Sequence, residues 1–232
     1  MAKRLTPPFF SGLVLDMGGS TTAVFQLING KIIPPDSKVS QTHYKRIQSG
    51  RLIWIGTQTT PLEYLLKEVR IKGNKFHVIP RGVTFQSIST LLELLSTELS
   101  NQLSLFGALG SKKDAIRAIA DTIDMDSTFF STKEWQDIAN QFYVAAIDLL
   151  SVEIRKAKKG FSKCKQAIVF GLGGETLCMP ALMKTGIKKE NIHIAKLLIS
   201  EEMAIMSSAY GACHKATELF LKRRLPPVLS HN

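Results

Sequence analysis

A chain of 232 residues, 44% of them hydrophobic and 21% charged, has the composition of a globular protein with one large domain or two small ones. No apolar run reaches the roughly 18 residues that a membrane helix needs, which excludes a spanning segment. The first eight residues lack the apolar core of a signal peptide, and the cysteines Cys164, Cys178 and Cys213 form no disulfide framework, so we predict a cytoplasmic protein.

The net charge of +11 suggests an anionic partner. The basic residues are scattered, with small clusters at Arg155–Lys159, Lys188–Lys189 and Lys222–Arg224. No aromatic residues alternate with them, and no zinc-finger or RNA-recognition spacing is present. We therefore predict an anionic small molecule or an acidic protein partner, rather than nucleic acid or a membrane.

The predicted fold is organised around a hairpin near the start of the chain. Leu13–Leu15 form an apolar strand that ends in Asp16, Ala23–Ile28 form a second strand, and Asn29-Gly30 turns the chain again. Main-chain N–H groups and hydroxyls in such a turn can bind phosphate oxygens, and the adjacent carboxylate can hold a hydrated metal ion. The alternative is an ordinary turn without a ligand. The predicted phosphate-binding residues are Gly18, Gly19, Ser20, Thr21 and Thr22.

After a lead-in over residues 1–12 and this hairpin, a polar segment leads into a β-rich run over residues 51–57. The following loop contains Thr59 and Thr60, which we predict either to line a cleft or to start a helix over Leu62–Lys67. Residues 69–85 are expected to be extended, with turns at 72–74 and 80–82.

The middle of the chain has helical patterns. Leucines from Leu91 to Leu99 predict a short helix, and Ser111 opens another. Ser131 and Glu134 have capping-box spacing before a long amphipathic run from Trp135 to Lys159. The apolar face of that run is predicted to comprise Ile138, Phe142, Ala145, Ala146, Leu149 and Val152.

A second glycine-rich loop follows the apolar strand Ala167–Phe170 and opens a helix from Leu177 to Met183. This order of elements brings a helix N-terminus to an anion or a nucleotide, although the sequence is not the dinucleotide motif. The chain is completed by a strand at His193–Ala195, a helix from about Ser200 to Arg224 and a tail over 225–232. The residues predicted to line the cleft are His43, Thr59 and Thr60 and, in this second loop, Gly171, Gly173, Gly174 and Glu175.

These elements predict an α/β fold, a sheet with helices on its faces. The acid-glycine hairpin and the later strand–glycine–helix unit resemble the actin, sugar-kinase and chaperone superfamily, whose halves are ribonuclease-H-like. The resemblance implies one such half: a single α/β domain over 13–224 with a helical insertion at roughly 83–131. Only one acid-glycine hairpin is present, so the other half would come from a partner chain in a homo- or hetero-oligomer.

Three stretches resemble a narrower family, the hydantoinase/oxoprolinase-like proteins linked to tetrahydromethanopterin one-carbon metabolism. Leu15–Thr22 is similar to the family's DIGSTTTD stretch, and Ser208–Ala212 to its closing APAYAVA. Thr42–Gly56, with Thr60-Pro61, is similar to TD-x-ERL-x-SGELVYTG…RTP. The resemblance covers nearly the whole chain and implies that it corresponds to the later part of the family protein.

Members of this family include the methanofuran-biosynthesis synthase that joins an aminomethylfuran-methyl diphosphate to a tyramine–glutamate acceptor and releases diphosphate. The resemblance implies a transferase of this kind, with Mg²⁺ bound at Asp16 and the diphosphate bound by the Gly18–Thr22 turn. Arg46 matches the family arginine and would neutralise the leaving group, where a positioned cation is worth several kcal/mol.

The chain departs from the family at several positions, and three functions therefore remain open. It could be a divergent transferase, a non-catalytic subunit that binds an enzyme of the same pathway, or an ATP-binding protein of the kinase and chaperone superfamily. Diphosphate and metal binding favour the first, a stable complex without a ligand favours the second, and selective ATP binding favours the third. Family acids are replaced by Ala23, His43, Lys45 and Arg51, and the family arginine before Thr-Pro by Thr59.

Overall fold

The computed structural model describes residues 10–33, 42–95, 111–159, 161 and 164–195. The chain divides into a first unit, residues 1–53 with 151–232, and a second unit, residues 54–150. The predicted lead-in over 1–12, except for its last three residues, lies outside the described residues. So do the C-terminal helix, the Ser208–Ala212 motif and the tail. The prediction of a single domain with an insertion over 83–131 stays a prediction.

The described residues form a mixed α/β structure, which confirms the predicted class. In chain order the strands are β1 (Gly12–Met17), β2 (Thr22–Ile28), β3 (Lys31–Ile32), β4 (Leu52–Ile53), β5 (Glu68–Ile71), β6 (Asn74–His77), β7 (Ala167–Phe170) and β8 (Ile192–Ile194). The α-helices are α1 (His43–Gln48), α2 (Leu62–Leu65), α3 (Phe85–Leu91), α4 (Lys112–Asp121), α5 (Thr132–Lys158) and α6 (Met179–Lys184).

The sheet of the first unit has the order β3-β2-β1-β7-β8, with β4 also paired to β2. The pairs β1–β2, β2–β3 and β2–β4 are antiparallel, whereas β1–β7 and β7–β8 are parallel. Asn29 and Gly30 have φ values of 50° and 67°, which suit a two-residue hairpin turn and confirm the predicted connection. On one face Val14, Ile168 and Phe170 belong to a buried apolar cluster. Asp16 shares this face because side chains alternate along a strand.

The second unit contains the antiparallel β5–β6 hairpin, whose turn lies at Lys72-Gly73 as predicted. The helix expected over Leu91–Leu99 is placed differently in the structure: α3 begins at Phe85 and ends at Leu91, and residues 96–99 lie outside the described residues. All seven residues of α3 are buried, so its sequence has no polar outer face that would show helical periodicity. The β-rich run over 51–57 was also overpredicted, since only Leu52 and Ile53 form a strand.

The long helix α5 confirms the prediction from its capping box. The Glu134 carboxylate accepts hydrogen bonds from the Ser131 N–H at 2.7 Å and from the Ser131 hydroxyl at 2.8 Å. Ile138, Phe142 and Ala146 are buried as predicted, but Val152 is 46% exposed, and Ile154 lies in the core instead. The predicted face was wrong at Val152 because the buried stripe continues through Leu150 and Ile154, about 3.6 residues per turn. No helix in the described ranges could span a membrane.

Acid should weaken the start of α5 through Glu134. Lys72 pairs with this carboxylate at 2.5 Å, and with the Ser131 donors it lowers the pKa of Glu134 from 4.5 to about 2. A lowered pKa in the folded state contributes stability above the unfolded pKa, and this contribution disappears as the pH falls from about 5 towards 2. In urea unfolding, Glu134→Gln should be less stable than the wild type at neutral pH, and this difference should shrink over that range. Asp137→Asn, an exposed carboxylate on the same helix, is the control; an E134Q difference independent of pH would contradict the prediction.

Candidate active site

Asp16 lies near the carboxyl end of β1, in a row of otherwise apolar side chains. It pairs with Ala23 of β2 on one side and with Phe170 of β7 on the other, and Ala23 in turn pairs with Leu52 of β4. Directly opposed residues of neighbouring strands point to the same face of a sheet. The Asp16 carboxylate, half-buried, is therefore the acidic group of this row, at the edge of the apolar cluster.

The predicted phosphate-binding turn is a tight loop between β1 and β2. The Gly18 N–H donates to the Thr21 carbonyl at 3.0 Å, which closes a four-residue turn, so one main-chain donor is already used. Gly18 is exposed, whereas Gly19, Ser20 and Thr21 are half-buried. Thr22 is the first residue of β2 and has no exposed surface. The first four residues, and not Thr22, are thus accessible to a ligand in this conformation.

The second glycine-rich loop packs directly against the end of β1. Gly171 has a φ of +77°, and a Cβ atom there would contact the Met17 carbonyl oxygen and lie 2.9 Å from Asp16 Oδ1. The Gly173 N–H also donates to the Met17 carbonyl at 3.3 Å. Gly174 opens a π-helical turn, Gly174–Cys178, that continues into α6, and Glu175 in this turn is exposed. The carboxyl ends of the parallel strands β1 and β7 therefore bring Asp16 together with Gly171 and Gly173.

Cys178 is a neighbour of Asp16 that the spacing of residues along the sequence did not reveal. Its side chain is fully buried, and burial raises the pKa of the Cys178 thiol, with the negative charge of Asp16 raising it further. The thiol therefore stays protonated at neutral pH. A protonated, inaccessible thiol is neither a nucleophile nor a metal ligand, so Cys178 acts here as apolar packing beneath the carboxylate.

His43 and Arg46 lie on α1, which leads through Ser49-Gly50 to β4. His43 is exposed and Arg46 half-buried. Lys45 and Arg46 make no ion pair with any described residue. Arg51 is different, because its guanidinium donates to the Ile33 carbonyl at 3.0 Å and to the Gln26 side chain at 3.1 Å.

Gln26 is buried and donates to the Ala157 carbonyl of α5. Arg51, at a position where the resembling family has an acid, therefore holds the Gln26 side chain, and Gln26 in turn bonds to the end of α5.

Thr59 and Thr60 belong to the second unit. The Thr60 hydroxyl accepts from the Gly56 N–H at 2.9 Å and donates to the Gly56 carbonyl at 3.0 Å, so it is used to close its own loop. Thr59 is half-buried. Their predicted contact with a ligand stays a prediction.

The acidic side chains of the first unit suit a hydrated Mg²⁺ ion and not an ion held by protein ligands alone. No group of three His, Cys, Asp or Glu side chains that could hold a metal ion exists among the described residues. Mg²⁺ often keeps several waters and binds through one or two carboxylates together with substrate phosphates. Asp16 alone therefore fits a hydrated ion that arrives with a diphosphate, not a metal held by protein groups alone.

Ala23 offers a gain-of-function test of this geometry. In the variant Ala23→Asp, two carboxylates would stand opposite each other on one face, with Cβ atoms about 5 Å apart. Without metal they repel, and with Mg²⁺ they share a cation, so we expect the melting temperature to fall without Mg²⁺ and to recover on its addition. Ala23→Asn is the uncharged control. Equal melting temperatures of A23D with and without Mg²⁺ would show that the two side chains do not share an ion.

Comparison with known proteins gives the chain two archaeal relatives. It is similar to two synthases. Both are named "(4-{4-[2-(gamma-L-glutamylamino)ethyl]phenoxymethyl}furan-2-yl)methanamine synthase". The Methanococcus vannielii enzyme is 25% identical over 167 residues, which are 71% of this chain and 72% of that enzyme. The Methanocaldococcus jannaschii enzyme is 18% identical over 202 residues, 87% of this chain but only 58% of that enzyme. No protein-family model matches the chain.

The similarity to these synthases, although at low identity, agrees with the predicted link to methanofuran biosynthesis. Their name describes a furan that carries a methanamine group and a phenoxymethyl ether with a glutamyl side chain. The hydantoinase and actin/kinase assignments go beyond what these relatives establish.

Proposed function

We propose that this chain is a transferase of methanofuran biosynthesis that joins an aminomethylfuran-methyl diphosphate to a tyramine–glutamate acceptor. The observation that carries the proposal is that the turn after Asp16 and the loop at Gly171 lie together at one edge of the sheet. The chain that brings them together is similar to the archaeal synthases. Carboxylate, hydroxyls and close main-chain approach at one place suit a diphosphate with its cation.

The sheet order supports a ribonuclease-H-like half of the actin, sugar-kinase and chaperone type. An antiparallel β3-β2-β1 arrangement followed by the parallel strands β7 and β8 is the order that such a half requires. A phosphorylated ligand is then expected beyond the carboxyl ends of the parallel strands, where Asp16 and Gly171 lie. Under this proposal a second half comes from a partner subunit, and the complex works in the cytoplasm.

The reaction forms an ether bond between the phenol oxygen of the acceptor and the methylene carbon of the furan, while the bond from that carbon to diphosphate breaks. The departing diphosphate takes the bonding electron pair, and the phenol proton leaves to solvent. The Gly18–Thr21 turn would bind the diphosphate oxygens, Asp16 would hold the hydrated ion, and Arg46 would neutralise the charge on the leaving group. Mg²⁺, when bound, would supply further charge stabilisation there.

The test is a direct assay of the purified chain, alone and with any protein that copurifies with it. Both substrates are supplied with Mg²⁺, diphosphate release is measured, and the ether product is identified by mass spectrometry. Ether product together with diphosphate supports the transferase. A stable complex without turnover supports the non-catalytic subunit instead, and selective ATP binding without ether formation supports the nucleotide-binding alternative.

A further inference from the structure

The exposed side of the end of α5 forms a basic groove. The groove has a volume of about 410 Å³, lies within the first unit and is lined in the described chain by Val152, Arg155, Lys156, Lys158 and Lys159. Four of these residues recur at positions i, i+3, i+4 and i+7, so they share one side of the helix. This exposed stripe runs for about 10 Å, because an α-helix rises about 1.5 Å per residue, and it consists of Val152, Arg155, Lys156 and Lys159.

The basic groove lies near the amino ends of the parallel strands, at the edge of the sheet opposite to the candidate site. The Ala157 carbonyl of α5 accepts a hydrogen bond from Gln26, which pairs with Leu13 in the sheet. Leu13 also pairs with Ala167, the first residue of β7. Asp16 lies three residues further along β1, about 10 Å away at the usual rise of a strand. The groove is therefore a second surface, separate from the residues of the proposed transferase site.

Two of the cations are held in place by the end of α6. Arg155 donates to the Lys184 carbonyl at 2.7 Å, and Lys158 donates to the Thr185 carbonyl at 3.2 Å. The last carbonyl groups of a helix lack partners within that helix and attract cations. An uncharged carbonyl does not neutralise a full positive charge. Both side chains therefore remain cations, fixed on one side of the groove.

The chain itself offers little negative charge to this groove. Lys156 pairs with Glu153 at 2.6 Å, whereas Lys159 makes no ion pair with a described residue. Residues 151–195 include nine lysines and arginines but three glutamates, and the sequence after residue 195 has five basic residues and three acidic ones. A second copy of the chain, with its net charge of +11, would be repelled. The complementary surface therefore belongs to a different, acidic molecule.

The walls of the groove fit a protein better than a phosphate. The groove is shallow and open to solvent, and its walls are mainly carbon, from Val152 and from the methylene stems of the basic side chains. Val152 itself is 46% exposed. A phosphate group gains nothing from an exposed valine. An amphipathic helix, by contrast, covers apolar side chains and pairs its charged residues on either side of them.

We infer that the basic groove binds an acidic amphipathic helix of another protein. An apolar side chain of that helix covers Val152, and carboxylates one helical turn apart pair with Arg155, Lys156 and Lys159. Charged residues beside an apolar seam select partners between helices in this way. The positive charge around the groove also speeds the encounter with an acidic partner. This inference does not depend on the transferase reaction.

The test measures the fluorescence anisotropy of a labelled helical peptide of about 18 residues, with leucine and glutamate on one face, as the full chain is added. We expect Lys159→Glu to weaken binding about tenfold or more, because a like charge then faces the peptide. Lys31→Glu makes the same change in net charge on an exposed residue of β3 and is the matched control, with an expected change below about twofold. Val152→Ser should weaken binding of this peptide, but not of a peptide in which glutamine replaces leucine.

Several results would overturn the inference. A wild-type chain that does not bind the peptide has no such groove partner, and equal losses in K159E and K31E would mean that the peptide responds only to net charge. An unchanged affinity in V152S would remove the apolar contact. Tighter binding of inorganic triphosphate or single-stranded DNA than of the peptide, lost in K159E, would make the groove a phosphate site. Diphosphate release by K159E should equal that of the wild type, so a failed transferase assay leaves this inference standing.

Discussion

The Gly171→Ala variant should lose about 3 kcal/mol or more of its free energy of unfolding, because a Cβ atom there forces two main-chain segments apart. The added atom would contact the Met17 carbonyl oxygen, lie 2.8 Å from the Met17 carbonyl carbon and approach Asp16 Oδ1 at 2.9 Å. Main chain in the centre of a sheet has little freedom to move. The shift therefore reaches Asp16 itself, and diphosphate binding should weaken together with stability.

Gly186→Ala is the matched control for this variant. Gly186 also has a positive φ, +87°, but nothing lies within 4 Å of the position of its missing Cβ. Alanine there carries only the conformational cost, about 1–2 kcal/mol. The difference between the two variants in urea unfolding isolates the close approach of the loop to β1. Equal losses would mean that the Gly171 loop does not rest on Met17.

The Asp16→Asn variant should lower the rate of diphosphate release about a hundredfold or more, the usual loss when one preorganised electrostatic group is removed from an active site. The amide keeps the shape of the carboxylate but loses the charge that would hold the hydrated ion. Asparagine keeps the size of the side chain in its row with Ala23 and Phe170, so we expect stability to change less than activity. Activity and folding therefore respond separately.

Steady-state rates over a range of Mg²⁺ concentrations test this prediction best. The variant should need more Mg²⁺ for half-maximal rate, which a purely structural role of Asp16 would not cause. Glu190→Gln removes an exposed carboxylate of the same unit, 3.9 Å from Lys188, and should leave both values unchanged. A D16N variant that stays active with the wild-type Mg²⁺ dependence would show that Asp16 is not part of the site.

The local signals of this sequence were sufficient for its hairpins and its long helix. Asn29-Gly30 marks a turn that few other residue pairs favour, and Ser131 with Glu134 marks a helix start whose hydrogen bonds form within four residues. Such interactions depend only on neighbouring residues, so a sequence reveals them. The α3 helix was misplaced for the opposite reason: with every residue buried, its pattern carries no period.

The sequence by itself determined that an acid, two glycines and hydroxyls share one turn, and that a second glycine loop follows an apolar strand. Only the tertiary structure decided that the two loops meet, because the pairing of β1 with β7 joins segments about 150 residues apart. It also decided that Thr22 is buried and that Ala23 stands opposite Asp16, since register and burial depend on which strands become neighbours. Spacing along a chain predicts local hydrogen bonds, whereas contacts between distant residues follow from packing.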